Sequence, residues 1–470
     1  MILDFISRLK GWWNRVFDYS KIINDFNLDP QTSQAMLDSI QEWSAIFNKN
    51  EPWVGDTTIS LHVARTMVEK VSKAVNIEYK SMCSEPYVNN IYQKFLRNKR
   101  KNTESVIGKS CAFFRPYYDK GKIKVSVIQA DKFIPVKFSD DGDLLGCILI
   151  DQIVKGQNVW TRLEYDELVD DTVVIKNIAY KGRKDGVILA SRISLEDVPK
   201  WQDMQAEQAI SGVDRLIGGF ATVRKSNDVD NSSPIGPPIF ANAIETLKQI
   251  DKQFSRTVWE YEGSELAIDV DESILEYDHK TNKPKIPEGK KRLFRTLRLL
   301  QAKTNCFNIF SPNIRDTPLF NGLNEFLRQC ENECGVAYGT LSKLDEIAKT
   351  ATEIKASKQD YYVTVADIQD AMQQAYDDLI YGIYVLCRLY GIPVKANYVV
   401  EHDWDDSILV DKDSARNQAL IERNNKITSD VQYVMETRNM KEKEAIEFVK
   451  RQQEYRKLTE ESQSEEEPEE

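Results

Sequence analysis

A run of apolar residues at helical spacing between Thr350 and Tyr390 constrains this chain more than anything else in it. Ile354, Tyr361, Val365, Ile368, Met372, Ala375, Leu379, Ile383, Leu386 and Tyr390 recur at intervals of three, four or seven. Gly391 and Pro393 follow, residues that stop a helix by backbone chemistry. The pattern predicts one helix of about forty residues, roughly 60 Å long at 1.5 Å per residue and several times the usual length. A rod that long is a structural spine. The loop before it, 336–350, holds small and polar residues with two lysines: Gly339, Thr340, Ser342, Lys343, Lys349 and Thr350. That composition predicts an exposed, movable hinge.

A length of 470 residues suggests two to four domains. At 41% apolar and 10% aromatic residues the chain can bury a sizeable core and is not a disordered protein. A balance of 63 basic to 74 acidic side chains argues against a general nucleic-acid coat, which would be basic. The seven cysteines form no paired CxxC set, which predicts reduced, mostly buried thiols in a cytoplasmic compartment. Cys330 and Cys334 lie one helical turn apart with no neighbouring histidine, so no metal site is expected there.

No run approaches eighteen apolar residues, so no membrane-spanning helix is expected. Residues 1–27 are amphipathic, with Ile2, Phe5, Ile6, Leu9, Trp12, Trp13, Val16 and Phe17 on one helical face among Arg8, Lys10 and Arg15. They read as an arm that packs on its own protein or on a neighbouring subunit. The alternative is an interfacial helix on a membrane surface, which would make residues 1–17 the anchor of a scaffold.

Along the chain, 20–100 reads as helical, and 112–190 changes to alternating runs such as Lys122–Ile128 (KIKVSVI). Turn signals at Asp119–Gly121 and Asp141-Gly142 separate those runs. The first half is therefore α+β. Residues 225–238 (KSNDVDNSSPIGPP) form the clearest linker. A helix is expected from about Phe240 to Glu262 and a second over 318–334, with Thr317 as N-cap and Gly335 as terminator. The insertion between them, about 264–316, carries the one basic cluster. Lys280, Lys283, Lys285, Lys290, Lys291, Arg292, Arg295, Arg298 and Lys303 meet only Asp278 and Glu288 across 278–303. After the long helix, Asn397–Val410 reads as strand and turn, 411–456 as a helical module, and 457–470 as a Glu-rich disordered tail.

Enzyme signatures are weak. Gly108-Lys109-Ser110 resembles the end of a phosphate-binding loop, but Thr103 stands where the first glycine is required and the segment before it is helical. His62, His279 and His402 are far apart. The acids Glu401, Asp403, Asp405 and Asp406 with His402 suit a hard divalent cation and would be the centre of a metal-dependent nuclease. An acidic strand end at a subunit contact explains them as well. The expectation is a structural protein with no enzymatic activity, no cofactor and no metal.

The order of elements and several short motifs resemble the portal proteins of tailed bacteriophages, in the family typified by phages SPP1 and A118. The motifs are Gln41-Glu42-Trp43, Ile123–Pro135 (IKVSVIQADKFIP), Phe240–Leu247 with Ile250-Asp251, and Pro312–Arg315 (PNIR). Gly339–Ser342 (GTLS) followed by Lys349–Ile354 (KTATEI) completes the set. The resemblance covers roughly residues 30–455. It implies an α+β fold, mainly helical with a β-rich wing, assembling into a ring that is usually dodecameric. By similarity 28–235 is the wing, 236–263 and 317–335 are the stem helices, and 264–316 is the clip. The channel loop is then 336–350, the spine helix and return strand of the wing 351–410, and the crown 411–456.

The resemblance further implies a channel for double-stranded viral DNA at one capsid vertex, contacted without sequence specificity by Thr340, Ser342, Lys343, Lys349 and Thr350. It implies partner binding through Lys283, Lys285, Lys290, Lys291 and Arg292. The implied partners are the terminase large subunit, a head-completion adaptor, and the major capsid and scaffolding proteins. The implied location is the virion, after synthesis in the host cytoplasm. The short crown and the Glu-rich tail depart from the family pattern.

Overall fold

The computed structural model describes residues 19–77, 79–231, 233–271, 277–278, 283–284, 294–297, 307–343, 351–404, 419–425, 427–438, 440 and 442–464. The chain divides into two units, Met1–Trp404 and Asp405–Glu470.

The first unit opens with helices α1 (Tyr19–Phe26), α2 (Gln34–Phe47) and α3 (Val63–Val75), strand β1 (Lys80–Cys83), and helices α4 (Pro86–Leu96) and α5 (Lys99–Lys109). Local chemistry sets their starts. The Ser33 hydroxyl accepts the Met36 N–H at 3.2 Å ahead of α2. Glu85 accepts from Tyr87 ahead of α4, whose first residue is Pro86. The helical character expected across 20–100 is interrupted by β1. Its partner is β16 (Val400–Asp403), paired antiparallel with Lys80 opposite Asp403. A strand whose partner lies far along the chain leaves no local signal.

The β region is antiparallel, as its alternating pattern predicts. Strands β2 (Cys111–Asp119) and β3 (Lys122–Gln129) meet at Lys120-Gly121, with φ 47° and 81°. Positive φ at both central residues gives the turn whose twist matches the strands it joins. Strand β10 (Gly219–Thr222) pairs with the other edge of β2. A six-stranded sheet holds β4 (Phe133–Phe138), β5 (Leu144–Lys155), β6 (Asn158–Val169), β7 (Thr172–Arg183) and β8 (Ser191–Ile193) in that order. Its sixth strand, β9 (Glu207–Ser211), also pairs with β7.

Arg162, Glu164 and Asp166 alternate along β6 and so project from one face. That face is not solvated. All three are buried, Glu164 to 2% exposure. Arg115 from β2 and Arg162 both ion-pair with Glu164, and Arg162 also donates to Asn177 Oδ1 at 2.6 Å. Burial opposes ionisation of Glu164, but the two guanidinium groups outweigh it and hold its carboxyl below the ordinary carboxylate range. Asp166 has no such pairing. Burial, and then the Glu164 charge, push its carboxyl up to about 8.

Asp166 is thus protonated in the folded chain at pH values where the unfolded chain ionises it. The stability this lends is complete below the unfolded pKa of about 3.9 and is lost as pH rises through about 8. Glu164 slopes the other way, since its contribution is present above its unfolded pKa and lost on acidification. Asp166→Asn, which cannot ionise, should therefore melt above the parent at pH 9, with the gap closing toward pH 4. Equal melting gaps at both pH values would exclude this titration.

The long helix α8 (Ala351–Leu389) has 39 residues. Its end is a paired cap in which Ile392 N–H donates to Cys387 O at 2.8 Å and Gly391 N–H, with φ 65°, donates to Arg388 O at 3.2 Å. Val365, Ile368, Met372, Ala375, Leu379, Ile383 and Leu386 of the predicted stripe are buried, Tyr361 is half-buried, and Tyr390, one residue past the helix, is exposed. Tyr376 is fully buried among the rings of Tyr79, Tyr92, Phe95 and Phe114, at centroid distances of 5.8, 6.1, 6.0 and 6.0 Å respectively. Strand β10 crosses the helix so closely that a Cβ on Gly219 would lie 1.8 Å from Ala375 O.

The 225–238 segment is packed against the fold, contrary to its reading as a linker. Ile235 is fully buried, Asn227 Nδ2 donates to Ile235 O at 2.9 Å, and Ser110 Oγ donates to Gly236 O at 2.6 Å. Its Ser, Asn, Pro and Gly residues serve a fixed path, because their short side chains hydrogen-bond nearby backbone.

In the second unit, α9 (Asp430–Arg438) and α10 (Glu442–Ser464) pack together, with Arg438 over the Phe448 ring at 4.4 Å. Helix α10 continues to Ser464, so the disorder expected from 457 onward does not begin there. The Lys, Leu, Glu and Gln residues of that stretch are strong helix formers, whose propensity outweighs the acidic bias. Residues 465–470 lie outside the described set.

Candidate functional site

Two helices, α6 (Ile244–Gly263) and α7 (Asp316–Glu333), flank the insertion. Glu260 pairs with Arg315 at 2.8 Å at one end, and Gln253 Nε2 reaches Leu319 O at 3.1 Å further along. Residue numbers fall on one helix as they rise on the other, so the pair is antiparallel. Helix α6 is fastened to the rest of the unit by Asp251. Its carboxylate accepts the Trp53 indole N–H and the Leu61 N–H, both at 2.8 Å. A short 3-10 turn, Ala241–Ala243, precedes α6 where a continuous helix from Phe240 was expected. Helix α7 starts at Asp316 with Arg315 in the cap position, so Thr317 is not the N-cap. Its N–H donates instead to Asp316 Oδ1 at 2.6 Å, an aspartate being the better acceptor at a helix start.

Aromatic side chains on this pair stay in solvent within the single chain. Trp259 is 68% exposed, and Tyr261, Phe320 and Phe326 are exposed as well. Ile59, also exposed, lines a groove with Thr57, Arg256 and Trp259. Each of these would cost water-exposed apolar area that a lone soluble chain normally hides.

The turn leaving α7 is where the sequence places the channel residues. Gly335, with φ 65°, closes the helix by a paired cap: its N–H donates to Asn332 O at 3.2 Å and the Val336 N–H to Glu331 O at 3.0 Å. The Glu331 side chain then turns along the loop and is fully buried. Its carboxylate accepts the N–H groups of Gly339 at 3.3 Å, of Leu341, and of Ser342 at 2.8 Å, together with Ser342 Oγ at 2.8 Å. Asn324 Oδ1 accepts the Lys343 N–H at 2.7 Å, Lys70 of α3 donates to Thr340 O, and Thr364 of α8 donates to Gly335 O at 3.0 Å.

The loop therefore does not begin as a free hinge. Thr340 is half-buried, Ser342 is buried with its hydroxyl engaged, and Lys343 is exposed. Lys349 and Thr350 lie outside the described residues. The movable character expected at Gly339 and Ser342 is corrected by the carboxylate that holds them. Sequence reasoning missed Glu331. The available signal was an acid in the last turn of a helix, where the macrodipole disfavours negative charge unless local donors satisfy it.

Of the predicted basic cluster, Lys283 sits in strand β13 (Lys283–Pro284), paired with β12 (Tyr277–Asp278). Lys285, Lys290, Lys291 and Arg292 lie outside the described residues. The insertion also holds β11 (Ala267–Asp271), parallel to β14 (Phe294–Leu297) and antiparallel to β15 (Phe307–Phe310).

The other chemical candidates resolve into structural roles. Lys109, at the end of α5, is buried against Asp131 at 3.2 Å, and Ser110 holds Gly236, so neither side chain is free for a phosphate. His402 is bonded through both ring nitrogens, to Asp377 at 2.9 Å and to the Tyr79 hydroxyl at 2.8 Å. Asp405 and Asp406 lie outside the described residues, and among the described residues no group of three or more His, Cys, Asp or Glu could hold a metal ion. Cys83, Cys111, Cys147, Cys330, Cys334 and Cys387 are free and buried. Among the described residues no helix is long and apolar enough to cross a membrane.

A search of curated proteins finds no match. The family described as "Phage portal protein, SPP1 Gp6-like" matches residues 39–467, nearly the whole chain and all of the site just described. That is a family of structural proteins and not of enzymes. The chain belongs to the SPP1 Gp6-like phage portal proteins.

Proposed function

We propose that copies of this chain assemble into a ring, dodecameric by the family resemblance, at one vertex of a phage capsid. Double-stranded DNA enters through its centre during packaging and leaves by the same route at ejection. The observation that carries the reading is the set of exposed aromatic side chains on α6 and α7. A neighbouring copy covers Trp259, Tyr261, Phe320 and Phe326, and each protomer buries more than about 2,000 Å² against its neighbours, as permanent assemblies do. In this arrangement 28–235 forms the wing, the two helices the stem, 264–316 the clip, 336–350 the channel loop and 411–456 the crown.

The net charge of −11 supports a sliding role, since an acidic chain repeated around a bore repels the DNA backbone and keeps contacts weak. Lys343 and Lys349 supply transient, salt-sensitive phosphate contacts at the loop. Lys283, Lys285, Lys290, Lys291 and Arg292 dock the terminase large subunit during packaging and a head-completion adaptor afterwards. Point charges of this kind lack the planar forks of base readout. Major capsid and scaffolding proteins are partners of the ring at the portal vertex, and the subunits are made in the host cytoplasm before they enter the virion.

Native mass spectrometry and negative-stain imaging of the purified chain test the ring. A closed ring with a central hole is expected. The double variant Trp259→Glu, Phe320→Glu should keep its circular dichroism and lose the ring, because a charge in a closed apolar contact is strongly unfavourable. Monomers under all salt and protein concentrations in the parent chain would sink the proposal.

A further inference from the structure

We infer that Glu331 is the positioning residue of the channel loop, fixing residues 339–342 to α7 so that loop and helix shift as one body. This rests on the portal reading above. One carboxylate with no exposure collects four donors. Oε1 takes the Leu341 and Ser342 amides, and Oε2 takes the Gly339 amide and the Ser342 hydroxyl. Three amides of one turn converge on the two oxygens of this carboxylate, in the manner of a backbone nest. Three further ties act on the same turn: Asn324 on Lys343, Lys70 on Thr340 O and Thr364 on Gly335 O.

The consequence is mechanical. Pulling 339–342 away from α7 would strip a buried carboxylate of every donor at once. Moving α7 together with the turn keeps all four. Helix α7 is in turn held to α6 by the Arg315 and Glu260 pair and by Gln253 on Leu319 O, at the end nearer the insertion. A push on the loop by advancing DNA therefore reaches the base of the partner-binding insertion through a rigid helix. The small residues Gly339, Thr340 and Ser342 are there to fit the nest, and flexibility is not their role.

The test uses assembled rings of Glu331→Gln, which keeps the side chain's size but turns one acceptor into a donor facing other donors. Hydrogen exchange at Leu341 and Ser342 should rise by about 100-fold, the signature of an added local opening. Ring mass should be unchanged, and the DNA filled per prohead in a defined packaging reaction should fall by about 10-fold. Ser342→Ala, which removes one donor and leaves the carboxylate, should show the same two changes at smaller size. It also serves if Glu331→Gln does not assemble.

Unchanged exchange in assembled variants would overturn the clamp. Raised exchange with normal DNA filling would overturn the positioning role, since a merely structural clamp could be loosened without touching packaging. Failure of the parent chain to form rings or fill proheads refutes the portal reading itself, a distinct outcome.

Discussion

Glu164→Ala is expected to destabilise the folded chain by about 3–5 kcal/mol, the usual cost of removing one partner from a buried ion pair. Glu164 ion-pairs both Arg115 and Arg162, and Arg162 is itself buried. Deleting it strands the buried Arg162 guanidinium and removes the partner of the part-buried Arg115. Asp166 lies beside it, but burial opposes ionisation of its carboxyl, so it replaces Glu164 only in part. Thermal unfolding at matched protein concentration and matched ring content is the measurement, since assembly adds stability by mass action. A fall of several degrees is expected. The double variant Arg162→Met, Glu164→Leu should recover much of the loss, as apolar replacement of a buried pair often does. A single variant that melts with the parent would show that the layer is solvated.

Gly219→Ala should cost about 3 kcal/mol, the upper part of the range for overpacking a close contact. The added methyl would meet the Ala375 carbonyl oxygen at 1.8 Å, and that oxygen belongs to the backbone of α8. No rotamer change can relieve a clash with helix backbone, so strand or helix must move and the cage around Tyr376 opens. Gly55 supplies the control, because a Cβ there meets nothing within 4 Å. Gly55→Ala should be neutral or slightly stabilising through the unfolded chain. Equal melting of the two variants would remove the close crossing of β10 and α8 from the account. A large loss at Gly219 alone would confirm that the spine is seated by a glycine contact.

These two sites show where local reading stops. The alternation of Arg162, Glu164 and Asp166 reads as the solvent face of a strand, and only the second sheet, with Arg115, turns it into an interior. Gly219 opens a short strand, and the reason for a glycine there is a helix more than a hundred residues away. Glu331 reads as one acid among many at a helix end. Its partners lie eight to eleven residues on, within a turn whose path no periodicity describes.

The sequence by itself determined the extent of α8, its buried stripe and its Gly391 stop, the hairpin turn at Lys120-Gly121 and the α+β class. It also carried the family, through short motifs in a definite order. These are local properties: a 3.6-residue or 2-residue period and the φ preference of glycine act within a few residues. The tertiary structure alone decided the β1–β16 pairing, the packed path of 225–238, the buried polar layer and the carboxylate nest beneath the channel loop. Each depends on groups brought together from distant positions, and burial reverses what exposure would make of the same side chains. A carboxylate is a solvating group in water and a structural centre once donors or guanidinium groups surround it.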